Sequence, residues 1–177
     1  GRETFWPSDP GFLRSARYAS RTGGFSTIVE SDIDVVAERQ MYWGPGGGYD
    51  GGHAALGIKS LATNWFFAEG FQGGGTNFDT WMLVLNPNTT PVDVTYTFYD
   101  TSGNTLATMT RSVGARARAQ VWGGEFDQLR GKAFSTRITS TQPIAAERAV
   151  YWRGYAEGHA TAGATQTGEA WALAEGE

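Results

Sequence analysis

Between Val92 and Asp100 the chain reads VDVTYTFYD, with Val92, Val94, Tyr96 and Phe98 on alternate positions. A period of two marks a strand with one buried side, because successive side chains of extended backbone point to opposite faces. WMLVLN (81–86) runs into Asn86-Pro87-Asn88, which favours a turn, and DTSGN (100–104) separates VDVTYTFYD from TLATMTRSV (105–113) in the manner of a hairpin. ARAQVW, AFSTRITS and PIAAERAVYW follow as further strands, then HATAG and WALAEG. Short strands with turn signals every ~8–12 residues predict an all-β chain, an antiparallel Ig-like β-sandwich with a barrel as the alternative closure.

The pattern also repeats. FSTIVESDIDVVAERQMYW starts at Phe25 and FSTRITSTQPIAAERAVYW at Phe134, 109 positions on, while GGH ending at His53 and EGH ending at His159 stand 106 apart. NWFFAEG (64–70) and AWALAEG (170–176) share that second spacing. Such a period suits a whole small β domain rather than a solenoid unit. The expected organisation is a partial repeat over residues 1–64, then a complete one over 65–177 that ends in the first strand of a following unit. With no initiator methionine and no signal-like segment at Gly1, the chain is expected to be processed or excised from a longer array.

Within the repeated phrase, alternation puts Val35, Ala37, Arg39, Met41 and Trp43 on one face and Val36, Glu38, Gln40 and Tyr42 on the other. The second copy sets Ile144, Ala146, Arg148, Val150 and Trp152 against Ala145, Glu147, Ala149 and Tyr151. A feature kept in both copies is expected to serve the fold. Each Arg is read as lying across a Trp with its guanidinium on an acceptor, and each Glu as receiving backbone or Tyr hydrogen bonds.

Composition narrows the partners. An aromatic fraction of 14% and 25 glycines fit pleated sheets and tight turns. A net charge of -4 argues against nucleic acid, which needs clustered cations. The basic run RSVGARARAQ (111–120) is read as a solvated sheet face bearing Arg116 and Arg118. Cysteine is absent, which removes disulfides and thiolate chemistry. No apolar run reaches the ~20 residues of a membrane-spanning helix, so membrane insertion is not expected.

Candidate chemistry is sparse. GxSxG and GxxxxGK[ST] do not occur, and Glu38 and Glu147 sit at equivalent positions of different units, so no acid/base pair is indicated and an enzyme is the least supported class. The glycine-rich loops GPGGGYDGGH (44–53) and RGYAEGH (153–159) hold His53 and His159. One histidine with Asp50 or Glu157 falls short of a metal set, so each histidine is expected to close its loop on backbone groups; no metal or cofactor is indicated. Tyr49, Trp122 and Tyr155, in or beside glycine-rich loops, are the candidates for stacking on sugar rings if polysaccharide is a ligand.

Taken together, WxFAEG (Trp65 to Gly70), FDTxxxxLNPN (Phe78 to Asn88), AERxMYW (Ala37 to Trp43, with Ala146 to Trp152) and GGH (Gly51 to His53, with Gly158 and His159) resemble repeat domains found in tandem in large exported bacterial surface proteins. Residues 1–24 depart from the pattern. The resemblance implies a non-enzymatic extracellular spacer or adhesion module and brings no catalytic residues. The partial first unit would leave a sheet edge open to another chain. The terminal segment WALAEGE (171–177), with Trp171 and Leu173, is the candidate assembly strand that adds to a neighbouring copy in a head-to-tail filament. A carbohydrate-binding module is the alternative.

Overall fold

In a computed structural model the described residues are 1, 2, 4, 24–44 and 50–174; the candidate Tyr49 and the end of the terminal segment, 175–177, lie outside them. Nine strands follow in chain order: β1 (Glu38–Trp43), β2 (Gly51–Leu56), β3 (Ala62–Phe67), β4 (Asp79–Asn86), β5 (Val92–Tyr99), β6 (Thr105–Val113), β7 (Ala117–Trp122), β8 (Ser135–Trp152) and β9 (Glu157–Ala162). Two short 3-10 turns, Gly123–Glu125 and Asp127–Leu129, are the only helical pieces among the described residues. The chain is therefore an antiparallel all-β sandwich, as its alternation predicts.

The strand expected to be two is one. AFSTRITS and PIAAERAVYW join in β8, whose 18 residues run through both sheets. Its first half pairs with β5 and β3, its second with β4 and β9. Pro143 marks the crossing: it lacks an N–H to donate, which is tolerable where the strand leaves one ladder for the other. One sheet thus runs β6-β5-β8-β3 and the other β7-β4-β8-β9.

Between them lies the core. Val94, Tyr96, Phe98 and Ile138 face Met82, Val84, Val121 and Ala146, all within 1% of full burial, with Trp65 and Phe67 closing one side. The turn at Asn86-Pro87-Asn88 does more than reverse the chain. Fully buried Asn86 donates through Nδ2 to the carbonyls of Thr90, Val113 and Gly114, and its Oδ1 accepts from the N–H and Nδ2 of Asn88. Asn88 in turn donates to the carbonyl of Pro143, so one asparagine pair ties β4, β6 and the crossing point of β8 together.

Strands β1 and β2 form a separate two-stranded sheet with Met41 opposite His53 and Trp43 opposite Gly51. Residues Arg39, Met41, Trp43, Gly51, His53 and Ala55 are half-buried, while Glu38, Gln40, Tyr42, Gly52, Ala54 and Leu56 are exposed. The half-buried side lies on the outer face of the β7-β4-β8-β9 sheet, making a third layer.

Candidate functional site

The repeated phrase supplies the seam between that third layer and the sandwich. Arg39 on β1 donates to the Glu147 carboxylate on β8 at 3.3 Å. The Trp43 ring meets Tyr151 edge-on at 5.3 Å, and its indole N–H donates to the carbonyl of Tyr155. His53 sits beside Trp43 at 5.4 Å and within 6.3 Å of Tyr151. Glycine makes the approach possible: a β-carbon at Gly51 would stand 2.6 Å from the Trp43 ring and 2.7 Å from the carbonyl oxygen of Ala156.

Hairpins β1-β2 and β8-β9 share an internal plan. Trp152 lies 5.9 Å from His159 at 61°, matching Trp43 and His53 at 5.4 Å and 58°. In each, the tryptophan N–H finds an acceptor, Tyr155 carbonyl for Trp43 and the Glu157 carboxylate for Trp152. Each arginine reaches a glutamate of a different element: Arg39 takes Glu147, whereas Arg148, 6% exposed, pairs with the Glu69 carboxylate at 3.1 Å and also donates to the Glu69 carbonyl. Burial lowers the Arg148 guanidinium from its usual value and Glu69 opposes that shift.

Several expectations about these residues change. Among the described residues neither Arg39 nor Arg148 lies over a tryptophan, and a guanidinium stacked on a ring is that of Arg137, over Phe66 at 5.6 Å. Among the described residues Glu147 accepts from an arginine of the other copy rather than from a tyrosine, while Glu38 accepts from Gln40 at 3.4 Å. The reason is layering, which places carboxylate Glu147 between sheets and leaves its counterpart Glu38 on the outside. His53 and His159 stand in strands β2 and β9 rather than in the loops, because the glycines before them carry the extended backbone on into the hairpin. Both ring nitrogens of His53 are buried with no hydrogen-bond partner among the described residues.

Burial lowers His53 below the usual histidine value, helped by the nearby Arg39 and then His159. His159 is lowered in the same way, by burial and then Arg148, with Glu69 opposing. Among the described residues no group of three or more His, Asp or Glu gathers to hold a metal ion.

The basic run behaves differently from its reading as a solvated face. Arg116 stands in the turn before β7 with φ at 48°, and Arg118, on β7, lies under the added layer, where burial lowers its guanidinium despite Tyr151 and Glu147 nearby. Gly24 runs over it.

Of the stacking candidates, Trp122 is parallel to Trp81 at 5.8 Å and 21°, with its N–H on Asp79 at 2.8 Å. Tyr155, at φ 68° in the β8-β9 turn, stacks on Tyr151 at 5.1 Å and 27°. Each therefore has one ring face on a protein ring. Trp171 and Leu173 are 66% and 87% exposed and outside any strand, since the partner that β3 finds in β8 has no equivalent there. Sequence reasoning passed over Glu69 and Asp79, acceptors that only the topology brings to Arg148 and to Trp122 with Gln72.

No family model and no curated protein matches this chain. Among solved structures it is similar to Thermotoga maritima 1070, with TM-score 0.52 and 13% identity over 62% of this chain and 98% of that one. It is similar also to the Anabaena sensory rhodopsin transducer, with TM-score 0.43 and 21% identity over 52% of this chain and 91% of that one. The first of these likenesses speaks to the fold alone.

Proposed function

We propose that the chain is a non-catalytic structural module of an exported bacterial surface protein, in which consecutive β-sandwich repeats hold one another through the phrase they share. The observation that carries this reading is the contact of one copy with the other: Arg39 on Glu147 and Trp43 on Tyr151 and Tyr155. Every element of the phrase then has mechanical work. The arginine and tryptophan of one unit seat on the glutamate and tyrosine of the next, and the histidine fills the space beside the tryptophan. Its partners are adjacent repeats or neighbouring copies of itself, with the exposed Trp171 and Leu173 available for donation to a neighbour.

A cysteine-free chain makes the test clean. Arg39→Cys with Glu147→Cys, treated with a short bismaleimide, is expected to give an intramolecular cross-link at high dilution. Only intermolecular cross-links, or none, would contradict the reading. Antibody labelling of intact source cells tests the location, and light scattering before and after deletion of residues 171–177 tests strand donation. Polysaccharide binding is the second reading, with Trp122 and Tyr155, each with one ring face on a protein ring, as its stacking candidates.

A further inference from the structure

We infer that residues 25–37 form a strand acceptor whose occupant is the segment 168–173 of a second copy of this chain, seated there as β3 seats on β8. The inference rests on the proposed function and names both surfaces of the contact between copies.

The repeat supplies the template. Positions 25–37 correspond to 134–146 at the offset of 109, and positions 168–173 correspond to 62–67 at the offset of 106. In the complete unit the first half of β8 takes β3 as an antiparallel neighbour, with Trp65 opposite Ile138, Phe66 opposite Arg137 and Phe67 opposite Thr136. There Phe134, Ile138, Ile144, Trp65 and Phe67 are all buried. Their counterparts keep apolar side chains without the cover. Phe25, Val29 and Val35 are 45%, 60% and 57% exposed, Trp171 and Leu173 are exposed as well, and both stretches lie outside any strand.

The donor is already shaped for this seat. Hairpins β1-β2 and β8-β9 release the chain through the same backbone hydrogen bond, from the Gly57 N–H to the Ala37 carbonyl at 2.8 Å and from the Gly163 N–H to the Ala146 carbonyl at 3.3 Å. Beyond it, the Trp65 indole N–H donates to the carbonyl of Ala62 at 3.1 Å, and the Trp171 N–H donates to the equivalent carbonyl of Gly168, also at 3.1 Å. Trp65 has a second acceptor across the strand pair, the Ile144 carbonyl at 3.2 Å. Val35 is the counterpart of Ile144, so docking offers Trp171 the Val35 carbonyl.

Side-chain chemistry selects the occupant. On the outer face of the β3-β8 pair, Arg137 lies over the Phe66 ring and donates to Asn64 Oδ1 at 2.7 Å. Ile28 stands where that arginine does, and Ala172 and Ala170 stand in place of its ring and its acceptor. Alanines give an arginine neither contact but pack against an isoleucine, so segment 168–173 suits residues 25–37 better than it suits β8. The shared register then puts Trp171 opposite Val29, Ala172 opposite Ile28 and Ala170 opposite Glu30. Within one copy the two stretches do not pair. A lone two-stranded ribbon is marginal in water, so the association between copies is weak and best caught covalently.

Single cysteines read the register, because opposed strand residues stand at the separation of roughly 4.5–5.5 Å that a disulfide spans. Acceptors with Ile28→Cys or Glu30→Cys are mixed in a glutathione redox buffer with mass-tagged donors carrying Ala170→Cys or Ala172→Cys. All four positions are exposed, so the sandwich is expected to keep its near-ultraviolet circular dichroism in every variant. Heterodimers of the matched pairs, 28 with 172 and 30 with 170, are expected to exceed those of the crossed pairs, 28 with 170 and 30 with 172, by about fivefold or more. Trp171→Lys in the donor is expected to remove that excess.

Crossed pairs that link as well as matched ones overturn the inference, as does an excess indifferent to Trp171→Lys. A preferred link between Ala172→Cys and Arg137→Cys overturns it too, since the segment would then sit on β8 in place of β3. Absence of any heterodimer while the Arg39→Cys, Glu147→Cys cross-link forms overturns the inference and leaves the proposed function standing; absence of that cross-link as well removes both.

Discussion

Arg39 donates to the Glu147 carboxylate across 3.3 Å, joining adjacent letters of one repeated phrase from two different copies. The side chains are 40% and 24% exposed, so water screens the pair and its worth is modest. A double-mutant cycle with Arg39→Ala and Glu147→Ala, followed by urea denaturation, is expected to give a coupling of about 0.5 kcal/mol that shrinks at high salt. Zero coupling at low salt would mean that the pair does not hold the layers together.

Steric fit holds them more firmly than charge. Gly51→Ala puts a methyl against the Trp43 ring and the Ala156 carbonyl, and a backbone atom cannot step aside cheaply. Overpacking of this kind costs about 1–3 kcal/mol. The expected result is loss of amide-exchange protection in β1 and β2 with β4 and β5 unchanged. Gly75→Ala, at a position with nothing within 4 Å, serves as the neutral control.

How much of this was legible beforehand follows from what alternation can carry. Val92, Val94, Tyr96 and Phe98 showed their burial because a period of two records one buried face per strand. The two-sheet path of β8 was hidden, since Pro143 reads as a break whether the chain turns back or merely changes ladders. The phrase itself declared its repetition, but not that Glu147 and Glu38 live in different surroundings. Identical letters are separated only by what is stacked on them.

Asn86 is the second fixed point of the fold. Asn86→Ala strips the carbonyls of Thr90, Val113 and Gly114 of this donor and leaves the Asn88 backbone N–H without its Oδ1 acceptor. Leaving several buried groups unpaired costs about 3 kcal/mol, or a fall of roughly 6–12 °C in Tm for a chain of this size. A loss under 1 kcal/mol in differential scanning calorimetry would show that the network is dispensable.

Tyr96 offers the contrary case. Its ring is fully buried in the core and its hydroxyl has no hydrogen-bond partner among the described residues, so burial drives its ionisation far above the usual tyrosine value. Tyr96→Phe removes an unpaired polar group and keeps the ring. Stability by urea denaturation is expected to stay level or rise by about 1 kcal/mol, and a marked drop would reveal a partner for the hydroxyl.

Acid should loosen the seam before it unfolds the sandwich. His53 faces Arg39 from β1, His159 from β9 and Tyr151 from β8, and His159 faces Arg148 and Glu69; burial, reinforced by the arginines, lowers both histidines. The folded state then binds fewer protons than the unfolded one. Stability is full above the unfolded histidine value of about 6.5 and declines as pH falls through it, levelling only below the lowered folded value, with a slope of at most about 1.4 kcal/mol per pH unit for each histidine. Carboxylates titrate mostly near pH 4, so Tm measured from pH 8 to pH 5 isolates this effect. His53→Phe is expected to flatten its share of the slope and to preserve exchange protection in β1-β2 at pH 5, where the unaltered hairpin loses it. If the hairpin is equally protected at pH 8 and pH 5 in the unaltered chain, the ring between Trp43 and Tyr151 accepts its proton without leaving, and the seam is not acid-sensitive.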